Sequence, residues 1–167
     1  MIYEDLEVFV KNIQVNNALI GLDLGTKTIG VAVSDKTLSV ATPIKTIKRK
    51  KFSLDANCLL EIITDKLCSG IILGLPKNMD GTEGPRAQST RAFARNFSTK
   101  SNLPITFWDE RLSTVAAEKA LLEADTTRKR RAEVIDHVAA AYILQGFLDR
   151  IKSVSYTHLT LPTTYTV

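Results

Sequence analysis

Three acidic sites in separate stretches of the chain have the residue types and surroundings for chemistry. Asp23 sits in Gly21-Leu-Asp23-Leu-Gly25-Thr-Lys27-Thr-Ile-Gly30-Val31, at the end of an apolar run and just before Leu-Gly. That placement points a carboxylate into the mouth of a sheet, and Gly25 and Gly30 allow a backbone or a phosphate to come close. The same D-x-G pattern also serves as a plain turn. Asp109 and Glu110 stand in Trp108-Asp109-Glu110-Arg111-Leu112-Ser113-Thr114, at a strand-to-helix junction. Side chains alternate along a strand, so only one of these two acids can join Asp23. Both also suit the positive end of a helix capped by Ser113 or Thr114. Asp136 precedes Ala140, Ile143 and Phe147 at helical spacing, along a partly apolar face. An acid there is costly unless paired or bound to a metal, although in a first helical turn it can simply complement the dipole. Three carboxylates from distant segments, gathered at one sheet edge, would give Mg2+ or Mn2+ its oxygen donors. A pair of such ions can activate water and stabilise a leaving oxyanion, which is the chemistry of phosphodiester hydrolysis.

Those acids need a scaffold. Ala18 to Asp23 and Thr28 to Ser34 read as an antiparallel pair joined by a tight loop. Val40 to Ile47 suits a third strand. Phe52 to Leu67 carries Leu54, Cys58, Leu59, Ile62, Ile63 and Leu67 at helical spacing. Gly70 to Leu75 is a continuous apolar run ahead of Pro76, as in a buried central strand. Residues 76–84 form a loop, followed by a helix from Pro85, well suited to a first turn, to Phe97. Pro104 to Trp108 is a strand and Ser113 to Glu123 a helix. A basic stretch at 126–132 then leads into a long, alanine-rich helix from Glu133 to Ile151. This order implies an α/β fold with a mixed sheet covered by helices. Residues 1–17 are set apart as an N-terminal leader and 18–152 as one domain. Residues 153–167 carry no Asp, Glu, Lys or Arg and are rich in Ser, Thr and Tyr. They are expected to be a non-native or disordered tail, with a terminal strand as the competing reading.

The 167 residues, 44% hydrophobic and 24% charged, suit one domain with a real core. The formal charge of +4 permits a polyanionic partner without demonstrating one. Basic residues crowd at Lys45, Lys48, Arg49, Lys50 and Lys51, and again at Arg128, Lys129, Arg130 and Arg131. Such runs are commonly solvated faces. Beside a phosphodiesterase site they become phosphate contacts, giving salt-dependent affinity with little sequence reading. Arg111, next to Glu110, could pair with a carboxylate or with the scissile phosphate, and Lys27 could do likewise. The stretch Gly74 to Gly84 is either an ordinary surface loop or a phosphate-holding loop that leads into a helix N-terminus. Arg86 and Arg91 lie on that helix. His137 projects about 100° away from Asp136 on a helix and suits packing better than ligation. No apolar run is long enough to span a bilayer, and the first residues do not resemble a secretory signal. Cys58 and Cys68 lack metal-ligand spacing and suit reduced thiols in a cytoplasmic protein. Neither a membrane nor a nucleotide cofactor is expected as a partner.

Taken together, GLDLGTKTIGVAVSD, GLPKNMDGTEGPRA, WDERLST and the IDHVAAAYIL helix resemble the YqgF/RuvX family of RNase H-like proteins, in order and over about residues 18–151. That family is described as Holliday junction resolvases and as nucleases that process pre-16S ribosomal RNA. The resemblance implies an RNase H-like mixed five-stranded sheet of order 3-2-1-4-5 with helices on both faces. It implies a metal-dependent endonuclease whose Asp23, Glu110 and Asp136 are both catalytic and metal-holding, with two Mg2+ or Mn2+ ions. It also implies structured RNA or branched DNA as partner. Lys27, Lys77, Arg86, Arg111 and Arg130 are the candidate contacts to it, and a monomer or a homodimer is expected. Lys77 departs from the family pattern, which usually has an apolar residue after Gly-Leu-Pro. Processing of pre-16S rRNA in ribosome biogenesis is the leading expectation. Junction resolution in DNA recombination and repair is an alternative, and a nucleic-acid-binding module without catalysis is another. The hairpin around Asp23 is also similar to the phosphate loop of sugar kinases, actin and heat-shock ATPases. Those clamp a nucleotide between two related domains, whereas this length suits one, so an ATPase is not expected.

Overall fold

The structure is a computed structural model that describes residues 1–14, 16–112 and 137–153. Two of the expected site residues, Asp136 and Arg130, lie outside the described residues. So do the expected helix Ser113 to Glu123 and residues 154–167 of the expected tail.

In chain order the elements are β1 (Ile2–Tyr3), α1 (Leu6–Asn12), β2 (Ala18–Leu24), β3 (Thr28–Ser34), β4 (Ala41–Lys48), α2 (Phe52–Lys66), β5 (Cys68–Leu75), α3 (Pro85–Ser98) and β6 (Ile105–Asp109). A short 3-10 turn covers Glu110–Leu112. Helical residues 137–153 are called α4 below. The sheet order is β1-β6-β5-β2-β3-β4. β2 is antiparallel to β3 and parallel to β5, and β5 is parallel to β6. Every residue of β2 and of β5 is buried, as expected of central strands covered on both faces.

Read from β4 to β6, five of these strands reproduce the expected order 3-2-1-4-5. Among the described residues the sheet nevertheless has six strands, not five. β1 adds to the edge of β6 in parallel, with Ile2 opposite Ile105 and Tyr3 opposite Thr106. Two residues are too few to show the alternation that marks a strand. This one is held by its neighbour instead: the Ile105 amide donates to the Met1 carbonyl at 2.9 Å, and the Thr106 hydroxyl to the Tyr3 carbonyl at 2.7 Å. The segment set apart as a leader therefore supplies a strand and a helix. Asp5 caps α1 by accepting from the Glu7 amide at 2.8 Å. Phe9 of that helix is fully buried, with its ring edge-on to Phe147 at 5.5 Å.

Alternation along the strands sorts the core into two layers. Ile20, Leu22, Val31, Ile71, Leu73 and Ile105 face α2 and α3. Leu19, Ala32, Ile72 and Trp108 face α1 and α4, meeting Phe9, Ile143, Leu144 and Phe147. α4 lies close upon the sheet because β2 has glycine at the crossing: a Cβ on Gly21 would stand 2.7 Å from Leu144 Cβ and 3.2 Å from the Ala140 carbonyl oxygen. Cys68 begins β5, two residues ahead of the expected start, and burial pushes its thiol up to about 12. Both cysteines are free thiols.

Candidate active site

Three parallel strands, β2, β5 and β6, end together at one edge of the sheet. Asp23 is the last but one residue of β2 and lies opposite Gly30 of β3. Leu22 and Leu24 belong to the layer under α2 and α3, whereas Leu19 and Gly21 meet the layer under α4. Alternation therefore puts Asp23 on the α4 face, where it is only 6% exposed.

Glu110 reaches the same face from β6 through the 3-10 turn. Its Oε1 lies 2.7 Å from where a Cβ on Gly74 would be, and Ile143 Cδ1 of α4 lies 2.5 Å from that point. Gly74 follows Leu73, the register partner of Leu22. Asp23 and Glu110 thus approach the same stretch of β5 backbone, and the absence of a side chain on Gly74 leaves room for the Glu110 carboxylate. Ala140 and Ile143 of α4 cover this corner. Asp136, four positions before Ala140 in sequence, is outside the described residues.

Asp109 has another partner. Its carboxylate accepts from Arg111 Nη2 at 2.7 Å, from Arg111 Nε at 3.1 Å and from the Arg111 amide at 3.0 Å. The Arg111 guanidinium holds the Asp109 carboxyl below the usual carboxylate range, and Asp109 in turn raises Arg111. The two neighbouring acids are thereby divided between an ion pair and the corner over Gly74. Arg111, expected to meet substrate, also donates from Nη1 to the Met79 carbonyl at 3.4 Å. It therefore joins the end of β6 to the loop that follows β5.

That loop is ordered by its own hydrogen bonds. The Asn78 amide donates to the Thr82 carbonyl at 2.8 Å and the Gly81 amide to the Asn78 carbonyl at 2.9 Å. Asp80 accepts from the Thr82 hydroxyl and amide, and this hydroxyl above all holds its carboxyl below the usual range. Beyond the turn, Glu83 grips Arg91 through two contacts at 2.5 and 2.8 Å. Arg91 also pairs with Glu4 at 2.5 Å and lies over the Phe107 ring at 4.8 Å. It serves the join between the N-terminal segment and this loop.

The remaining expected contacts divide by position. Lys27 is exposed in the β2–β3 hairpin at the Asp23 end of the sheet. Arg49 binds that hairpin through its amide to the Lys27 carbonyl at 2.8 Å and through Nη1 to the Gly25 carbonyl at 2.6 Å. Lys48, Lys50 and Lys51, all exposed, therefore adjoin the same hairpin. Lys77 is half-buried at the exit of β5, and its charge helps to lower Asp109 and Glu83. Arg86 is exposed in the first turn of α3, the helix on the other face of the sheet. His137 Nδ1 lies 3.0 Å from the Thr46 hydroxyl, tying α4 to β4, in accord with a packing role. Among the described residues no three His, Cys, Asp or Glu side chains group closely enough to hold a metal. Asp23 and Glu110 offer two carboxylates, an all-oxygen donor pair of the kind hard divalent cations take. Neither Arg49 nor Met79 stands out in the sequence: Arg49 is one of a basic run, and Met79 is one apolar residue in a polar loop.

Residues 17–150 match the family described as RuvX, Holliday junction resolvase. A Ruegeria pomeroyi protein named "Putative pre-16S rRNA nuclease" is 68% identical over 153 residues, which are 92% of this chain and 99% of that one. A Paracoccus denitrificans protein of the same name is 64% identical over 157 residues, 94% of this chain and 99% of that one. Among solved structures, T. thermophilus RuvC in complex with a Holliday junction substrate is similar in fold. Its TM-score is 0.52 at 12% identity, covering 81% of this chain and 96% of that one.

Proposed function

The chain belongs to the RuvX family, and from that premise we propose that it is a metal-dependent endonuclease that processes the precursor of 16S ribosomal RNA in the cytoplasm. The observation that carries this reading is the approach of Asp23 and Glu110, from β2 and from the end of β6, to one glycine-cleared corner under α4. Asp136 completes the donor set. Its support is its sequence position, four residues ahead of Ala140, which packs at Gly21 beside this corner. Asp23, Glu110 and Asp136 would hold two Mg2+ or Mn2+ ions, which when bound activate water and stabilise the leaving oxygen.

The chain's own residues do the rest. Burial holds the Asp23 carboxylate in one place, and Gly74 admits Glu110 beside it. Lys27 and Lys77 flank the corner and draw in the phosphate backbone, which positions a nucleic acid without reading its sequence. Arg111 acts as a positioning residue, fixing Asp109 and the loop at Met79.

The names of the curated relatives support RNA as substrate, and the family's description supports junction resolution as the second reading. Trimming an RNA end requires one active site, whereas resolving a four-way junction requires two related by symmetry. The test is cleavage of precursor 16S rRNA and of a four-way DNA junction side by side, with Mg2+ or Mn2+. Asp23→Asn keeps the side-chain volume and removes the charge. It is expected to abolish cleavage while binding survives. Cleavage by that variant at the wild-type rate overturns the mechanism, and the failure of wild-type protein to bind divalent cations leaves a binding module.

A further inference from the structure

Met79 is 95% exposed, the most exposed large apolar side chain among the described residues. A singly exposed apolar residue is ordinary on a protein surface, but this one stands on a fixed turn. The turn that carries Met79 is closed by the Asn78–Thr82 and Asn78–Gly81 backbone hydrogen bonds, by Asn78 Nδ2 on the Thr82 hydroxyl at 2.9 Å, and by Asp80 on Thr82. Gly81 takes φ of +91°, which a side chain would strain, so the turn shape is built in. The Met79 carbonyl is anchored by Arg111, the residue after Glu110. The loop thus presents a thioether to solvent from a base that Arg111 ties to the end of β6, the strand end that also carries Glu110.

We propose that Met79 is an apolar wedge that enters the base stack next to the cleaved phosphodiester bond and so selects structured substrates in which that step can be opened. This rests on the nuclease reading given above. Apolar wedges, methionine among them, unstack base steps and bend nucleic acid in other proteins. An unbranched, polarisable side chain suits contact with a base face. The surrounding charges fit the same role. Lys77, two residues earlier, can hold a phosphate while the side chain enters the stack. The Asp80 carboxylate is engaged by the Thr82 amide and hydroxyl within its own turn. Entry at one step would make the flexibility of the nucleic acid, and not its base identity, the determinant of choice.

The test uses the full chain and RNA hairpins that carry 2-aminopurine at successive positions across the duplex–single-strand boundary of the precursor. Binding is measured in EDTA and cleavage with Mg2+ or Mn2+. Wild-type protein is expected to raise fluorescence at one position, through loss of stacking. Met79→Ala is expected to lose that rise, with an unchanged melting temperature. It should also lower kcat/KM about ten- to hundredfold, the range set by burying one large apolar side chain. Met79→Leu should restore most of both, and an unpaired nucleotide placed at the opened step should rescue Met79→Ala. A fluorescence rise and cleavage rate that are the same in wild type and Met79→Ala overturn the wedge and leave the nuclease reading standing. So does the absence of any fluorescence rise with cleavage intact. A Met79-dependent rise without cleavage of any substrate keeps the wedge and overturns the nuclease reading. Wild-type protein that neither binds nor cleaves any of these substrates overturns both. A Met79→Ala protein that fails only in pulling down a protein partner assigns the side chain to a protein contact and overturns the wedge.

Discussion

At Gly74 two different side chains, one of them Glu110, occupy the space a Cβ would need. An alanine methyl there would lie 2.5 Å from Ile143 Cδ1 and 2.7 Å from Glu110 Oε1. Ile143 can change rotamer, and overpacking of this kind costs about 1–3 kcal/mol. Glu110 can yield only by swinging its carboxylate away from the Asp23 corner. Gly74→Ala is therefore expected to lower stability modestly in a urea melt. It should reduce cleavage by about a hundredfold or more, since displacements of about 1 Å at a reacting centre have that effect. Wild-type cleavage by Gly74→Ala would show that Glu110 does not act from this position. Asp23 was legible in the sequence because an acid at the end of an apolar run, followed by glycine, is a pattern within one segment. The choice between Asp109 and Glu110 was not, since alternation says only that they diverge. It is decided by the 3-10 turn, which folds Arg111 back onto Asp109. Met79 was illegible for a related reason: whether an apolar residue in a loop packs or protrudes depends on where the loop lies.

Among the elements, the β3–β4 connection is held by one carboxylate. Asp35 Oδ1 accepts from the Ser39 amide at 2.7 Å and from the Val40 amide at 3.0 Å, while Oδ2 accepts from the Thr37 hydroxyl. These donors, the Thr37 hydroxyl first, hold the carboxyl down at about 2 against an ordinary 3.8. A depressed folded-state value means that the charged form favours folding. The contribution is complete above the ordinary value and is lost as pH falls towards the folded one. The side chain is exposed, so solvent screening reduces the effect, and Asp35→Ala is expected to cost about 1 kcal/mol at neutral pH. In urea melts the gap between wild type and Asp35→Ala should narrow as pH falls from 4 towards 2. A gap that stays constant would mean that the charge on Asp35 does not hold the turn. Long or strongly patterned elements of this fold were legible in the sequence: α2 spans the expected helix but for its last residue, and β3 matches its expected bounds. β1 was not, because a two-residue strand takes its identity from the edge of β6 and not from its own residues.

Across the whole molecule, the formal charge of +4 conceals a division among the cations. Arg91 and Arg111 are bound to carboxylates of this chain and hold loops in place. Lys27, Lys48, Lys50 and Lys51 are exposed, and the contacts of Arg49 with the hairpin draw them towards the end of the sheet that carries Asp23. β4 is the outer strand there, so its lysines also discourage pairing with another sheet edge, whatever else they do. Salt dependence separates these roles. Each phosphate neutralised in single-stranded nucleic acid adds about 0.7 to the slope of log affinity against log salt. Replacing Lys27, Lys48 and Lys51 together by glutamine is therefore expected to flatten the slope by roughly 2, that is, about 0.7 for each lost contact, with little change in stability. Arg91→Gln should act the other way. The slope should hold, while stability falls as Glu83 and Glu4 lose their shared partner. Fluorescence-anisotropy titrations of a single-stranded segment of the precursor rRNA at several salt concentrations, paired with thermal melts, check both arms. An unchanged slope in the triple variant would make the basic corner a solvated edge and move the phosphate contacts elsewhere. A flattened slope in Arg91→Gln would mean that the ion pair opens to receive the nucleic acid.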